Sequence, residues 1–158
     1  MLSDQDRLIC IQDRAEQLST CCKVAVGAAV YNPLGQRLSF GFNMSMPDNC
    51  KEKGGHRINV YGEDSDSHRL PSDCYALHAE IHALMLAARL GHCTNHCTLY
   101  VSRYPCEACA RAIVAAGVDK VIYSGKQSIS EQTAQILKPV EVIHIPVEVT
   151  YAGGESDE

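Results

Sequence analysis

Two short clusters of metal-ligating residues, each at the start of an apolar-periodic segment, constrain this chain more than any other feature: His78-Ala79-Glu80 and Pro105-Cys106-Glu107-Ala108-Cys109. Ile81, Leu84, Met85 and Ala88 follow the first at helical spacing and Gly91 ends the run, which predicts a helix over about 78–90. Pro105 opens a second helix that runs through Ala116 and stops at Gly117. Cys106 and Cys109 stand at i and i+3, so both sulfurs lie on one face of a first turn, where the helix dipole favours thiolate. With one His from the neighbouring helix start they form a Cys2His set, which leaves the fourth position of a tetrahedral zinc open to water. Structural zinc sites usually close that position with a protein ligand; an open one points to catalysis. Glu80, two residues past His78, is placed to take a proton from that water.

Other readings of the same residues stand beside this one. A lone C-x-x-C ahead of a helix also suits a thiol-redox pair, and the three ligands alone would also serve a structural zinc site. The upstream H-x-E favours metal over redox chemistry. The order His78-Ala79-Glu80-Ile81-His82 fails the H-E-x-x-H pattern of a metalloprotease, and His82 reads as a packed or near-site histidine outside the ligand set. His92, Cys93, His96 and Cys97 span a loop and a strand start with mixed side-chain directions, so loop or core filling is the stronger reading. Cys10, Cys21 and Cys22 read the same way. Cys50 and Cys74, with His56 or His68 between them, bracket a long polar loop that a second, structural zinc would order, although no tight Cys pair supports it.

The remaining pattern places these motifs in an α/β domain. Residues 4–19 are helical by period, with Leu8, Ile11, Ala15 and Leu18 on one face and Ser3 as N-cap. Val24–Tyr31 and Gln36–Phe42 flank the turn sequence Asn32-Pro33-Leu34-Gly35 and form a hairpin. Strands at 98–102, 118–124 and 140–145 and a short helix at 130–138 complete the order α-β-β-α-β-α-β-α-β. That order predicts a three-layer α/β/α fold, with a mixed sheet of about five strands and helices on both faces. One domain over residues 1–148 is expected, with 43–73 as a long loop insertion and 149–158 as an acidic, flexible tail.

Composition narrows the function classes. Lys and Arg number 14 against 19 Asp and Glu, three of those acids in the tail, a balance that disfavours a nucleic-acid binder. No apolar run reaches the roughly 18 residues of a membrane span. Nine cysteines behind an acid-rich start with no signal-peptide pattern are expected to stay reduced in the cytoplasm.

From about Ser19 to Ser124 the chain resembles the zinc-dependent cytidine/deoxycytidylate deaminase superfamily, and within it the deoxycytidylate deaminases. The residues that carry the resemblance are Ser19-Thr20-Cys21-Cys22-Lys23, Val26-Gly27-Ala28, Gly41-Phe42-Asn43, the H-x-E…P-C-x-x-C signature of such deaminases, and Gly117 to Tyr123. The cytidine deaminase-like fold, Zn2+ and a homo-oligomer are what the resemblance implies, with hydrolysis of dCMP to dUMP and ammonia as the activity. It assigns zinc to His78, Cys106 and Cys109 and proton transfer to Glu80. It assigns the sugar hydroxyl to Asn43, the pyrimidine to the backbone around Ala28, and a place in the pocket lining to Tyr123. A 5′-phosphate needs a cation, for which Lys23, Lys51, Lys53, Arg57 and Arg103 are the candidates. Other free bases or nucleosides, and tRNA adenosine, are the alternative substrates of the same signature. The long 43–73 segment and the acidic balance favour the dCMP group. His82 and Met44-Ser45-Met46 depart from the usual residues of that group.

Overall fold

The computed structural model describes residues 1–20, 24–45, 76–125 and 129–148. A five-stranded mixed sheet runs in the order β2-β1-β5-β6-β7, built from β1 (Gly27–Tyr31), β2 (Arg37–Phe42), β5 (Thr98–Val101), β6 (Lys120–Tyr123) and β7 (Glu141–His144). β1 is antiparallel to both β2 and β5, whereas β5, β6 and β7 are parallel. The helices are α1 (Asp4–Leu18), α2 (Ala79–Arg89), α3 (Glu107–Ala115) and α4 (Glu131–Ile136).

Period-2 alternation divides the strands between two cores. Ala28, Val30, Leu99, Val101, Val121 and Tyr123 meet Ala79, Ala83 and Leu84 of α2 and Ala110 and Ile113 of α3. Ala29, Tyr100 and Ile122 point the other way, onto Leu8 and Ile11 of α1. The sheet is therefore covered on both faces, as expected. Ser3 caps α1 in a reciprocal box with Asp6. Leu18, expected on the buried face, is 40% exposed because α1 ends there. Arg7 is buried beneath α1, donating from Nη1 to the Tyr100 hydroxyl (2.8 Å) with its guanidinium 4.4 Å from the Tyr31 ring centre. Burial, with a hydrogen bond to Asp4, pushes the Tyr100 hydroxyl up to about 12, so it stays a donor.

Two local differences have clear causes. β1 starts at Gly27, three residues later than its apolar run, because the Val26 N–H and C=O are taken by the Asn43 side chain and backbone. A second, two-stranded sheet pairs β3 (Met44–Ser45) with β4 (Ala76–Leu77) antiparallel, with Ser45 opposite Ala76. Residues 46–75, 126–128 and 149–158 lie outside the described residues, and with them Cys50, His56, His68, Cys74, Lys51, Lys53, Arg57 and the acidic tail, as do Cys21, Cys22 and Lys23. No described helix is long and apolar enough to cross a membrane.

α2 lies directly on β2 at Gly41, where a Cβ would fall 2.4 Å from the Ala83 nitrogen and 2.5 Å from the Ala79 oxygen. The Ser39 hydroxyl, donating to the Ala83 carbonyl at 2.7 Å, fixes the same contact. Both obstacles to the Cβ are helix backbone, so Gly41→Ala must push α2 off the sheet. It is expected to cost about 1–3 kcal/mol, the range for overpacked cores, read as a lower urea midpoint at unchanged slope.

Candidate metal centre

His78 and Cys106 are the N-cap residues of α2 and α3, and neither side chain caps its own helix. Ser, Thr, Asp or Asn is usual there because its oxygen accepts from the first free N–H groups. Here the two side chains turn toward each other. Cys109 occupies the third helical position of α3, and N-cap and third-position side chains face one another in the way a capping box uses. C-x-x-C spacing therefore aims both sulfurs at one point.

The His78 Nδ1 lies 3.4 Å from the Cys106 sulfur and 3.4 Å from the Cys109 sulfur. The three donor atoms fall within 4.8 Å of one another, the only such group of His, Cys, Asp and Glu among the described residues. A tetrahedral zinc at ordinary Zn–S and Zn–N lengths sets nitrogen and sulfur about 3.6 Å apart, so the observed spacing fits this ion. Ligation through Nδ1 leaves the ring proton on Nε2.

Electrostatics favour a cation at the same point. Cys106 is exposed at the surface, and a hydrogen bond from Cys109, supported by His78, holds its thiol down at about 4 against a partial loss of hydration. The same hydrogen bond and burial push Cys109 up, and contact with Cys106 raises His78. Cys106 is thus the sulfur most disposed to be a thiolate, and a divalent cation held between the three groups would compete with protons for their donor atoms.

Glu80 is the second residue of α2 and only 4% exposed. Burial raises its carboxyl pKa, while a backbone N–H of the helix start and the His78 charge act in the opposite direction. A hydrogen bond with Cys109 keeps it against the cluster. A carboxyl in such a place exchanges a proton readily, which general acid–base work requires.

The other expected site residues have varied surroundings. Asn43 is buried; its Oδ1 accepts from the Val26 N–H (2.9 Å) and the Ser19 hydroxyl (2.5 Å), and its Nδ2 donates to the Val24 carbonyl (2.7 Å). At most one amide hydrogen is left for another partner. Asn43→Ala is expected to cost about 2–3 kcal/mol, since it strands buried backbone groups. Urea unfolding checks this; an Asn43 that served substrate alone would leave the midpoint unchanged. Ala28 is fully buried, between Gly41 of β2 and Val101 of β5. Tyr123 is 2% exposed at the C-terminal end of β6. Arg103 is exposed in the loop leading to Cys106, and its charge acts on His78.

His82 is a packed histidine: its Nδ1 lies 3.2 Å from the Phe42 nitrogen and 3.1 Å from the Phe42 oxygen, with the two rings edge to face. His96 takes a positive φ and pairs with Asp119 on the surface, and Cys97 is buried core. Cys10 is exposed on α1. Sequence reasoning passed over Tyr104, nine-tenths buried just before Pro105 and packed edge to face on Tyr123. Its signal was an aromatic residue directly ahead of the Pro-Cys pair.

Residues 3–125 match the family model described as the cytidine and deoxycytidylate deaminase zinc-binding region. The deoxycytidylate deaminase of Saccharomyces cerevisiae is 32% identical over 126 residues, covering 78% of this chain and 38% of the yeast protein. That of Enterobacteria phage T4 is 30% identical over 136 residues, covering 68% of this chain and 70% of the phage protein. This chain thus spans well under half of the yeast relative and over two-thirds of the phage one. Among solved structures, the dCMP deaminase of cyanophage S-TIM5 superposes with a TM-score of 0.64 at 25% identity, over 92% of this chain and all of that one. A second structure of that enzyme, in complex with dCMP and dUMP, gives a TM-score of 0.61 at 25% identity, with the same coverage.

Proposed function

The chain belongs to the zinc-binding cytidine and deoxycytidylate deaminase family, and from that premise we propose that it converts dCMP and water to dUMP and ammonia. The observation that carries this reading is Glu80, buried against a His-Cys-Cys cluster whose spacing fits zinc. The names of the yeast and phage relatives, and the dCMP and dUMP bound to the cyanophage enzyme, support the choice of substrate.

In this reading His78, Cys106 and Cys109 hold the ion. Zinc, when bound, supplies Lewis acidity that makes water a nucleophile near neutral pH. Glu80 accepts the proton of the attacking water and gives it to N3 of the cytosine ring. It then carries a second proton to the amine leaving C4, so ammonia departs and the carbonyl of uracil remains. Asn43 would offer its remaining amide hydrogen to the sugar, the backbone around Ala28 would meet the pyrimidine, and Tyr123 would line the pocket. Among the described residues, Arg103 is the sequence-nominated cation for the 5′-phosphate. The unit that does this is the single domain over 1–148, acting as a cytoplasmic homo-oligomer; a monomeric mass by light scattering at micromolar concentration would remove the oligomer from the reading.

Ammonia release from dCMP, CMP, deoxycytidine, guanine and tRNA, with zinc measured on the same preparation, tests the proposal. The expected outcome is stoichiometric zinc and fastest turnover of dCMP. Preference for guanine or tRNA would move the enzyme to another branch of the family. A zinc-free protein with reversible Cys106–Cys109 oxidation would make it a thiol-redox protein.

A further inference from the structure

His144, the last residue of β7, stands across β6 from the loop that carries Cys106, yet two separate lines of contact lead from it into that loop. The first is aromatic. Its ring stacks on Tyr123 at 4.6 Å between centres and 27° between planes, and Tyr123 meets Tyr104 edge to face at 5.1 Å. Tyr104 is joined through Pro105, itself fully buried, to Cys106. The second is polar. The His144 Nε2–H donates to the Gly125 carbonyl at 3.0 Å. Gly125 in turn presses on the loop backbone: a Cβ there would lie 2.5 Å from the Ser102 oxygen and 3.0 Å from the Arg103 Cα.

The loop needs such bracing. Ser102 is tied to β1 through the Gly27 N–H and C=O, and the Cys106 carbonyl accepts from Ala110 inside α3. Between these ties, residues 103–105 are located by the burial of Tyr104 and Pro105. Whatever fixes the Tyr104 ring and the Gly125 backbone also fixes where the Cys106 sulfur sits relative to His78. We propose that His144 is a positioning residue of the zinc centre, holding the Ser102–Cys106 loop through both the Tyr104 ring and the Gly125 backbone so that Cys106 remains in register with His78 and Cys109. This rests on the reading of Cys106 as a ligand.

The test is the rate at which zinc passes from the purified full-length protein to an excess of a colorimetric chelator, with thermal midpoints measured alongside. His144→Ala is expected to release zinc about tenfold faster, at the lower end of what loss of an outer support does to a metal site. His144→Phe keeps a ring for Tyr123 without the Gly125 hydrogen bond and should fall between. Ile143→Ala is the control: its neighbour on β7 packs on the opposite face of the sheet, among the residues under α1. It should lower the midpoint and leave zinc release at the wild-type rate. Wild-type release from His144→Ala, or release that simply follows the midpoint in both alanine variants, would overturn the proposal. Full zinc retention by Cys106→Ser would overturn the ligand reading itself, and the bracing role with it.

Discussion

Glu80→Gln is expected to keep its zinc and lose about 10³–10⁴-fold in dCMP turnover. Loss of a general acid–base group typically costs about 10²–10⁴-fold, and the upper part of that range is expected because in the proposed reaction one carboxyl serves several transfers. The substitution is close to isosteric, which matters in a position only 4% exposed. A smaller side chain would add a cavity to the effect, and a larger one strain. The glutamine amide still hydrogen-bonds near Cys109 but neither accepts nor releases a proton at neutral pH. Glu80 lies outside the three atoms that cluster for the ion, so metal content should match wild type and dCMP should still bind. Turnover and zinc are read on one preparation. Turnover within about tenfold of wild type is too small a loss for a general base and would remove Glu80 from the proton transfers. Loss of zinc would make it a ligand.

Removing zinc with a strong chelator is expected to abolish turnover and to lower the thermal midpoint by about 10 °C. The stability effect follows from where the ligands sit. His78 begins α2, while Cys106 and Cys109 begin α3, so an ion held by all three would tie together two helices that cover one face of the sheet. A ligand that binds only the folded chain, at a thousandfold excess over its dissociation constant, adds about 4 kcal/mol, and each kcal/mol moves the midpoint of a domain this size by about 2–4 °C. Readdition of zinc should restore both quantities together. Full turnover by the metal-free protein would refute the assignment of the site. An unchanged midpoint with lost turnover would show instead that the two helices are held by apolar packing alone.

The elements of the fold were readable because they depend on local chemistry. α1, α2 and α3 follow from apolar spacing, the Ser3 cap and the glycines at 91 and 117, both of which adopt positive φ. The Asn32–Gly35 turn follows from Asn32 accepting from the Leu34 and Gln36 N–H groups. The metal cluster was readable for the same reason. C-x-x-C at a helix start sets two sulfurs on one side whatever surrounds the helix, and H-x-E sets a carboxyl close to a histidine.

What lay beyond the sequence depends on contacts between residues far apart along the chain. The strand order β2-β1-β5-β6-β7, with its change from antiparallel to parallel pairing at β5, follows from which apolar faces are buried together, and short apolar runs leave that open. Asn43 looked like a substrate contact, yet its side chain also closes the approach to β1, because Ser19, Val24 and Val26 present their polar groups to it. Gly41 belongs to the second predicted strand and to the Gly41-Phe42-Asn43 motif, but only the fold sets the backbone of α2 against it. His144, 38 residues after Cys106 and on another strand, carries no local mark of any link to the metal centre. Local hydrogen bonding and helical or strand period are properties of a few neighbouring residues, and so are written in the chain itself. Close packing and the pairing of buried polar groups belong to the assembled interior, where density leaves each side chain one set of partners.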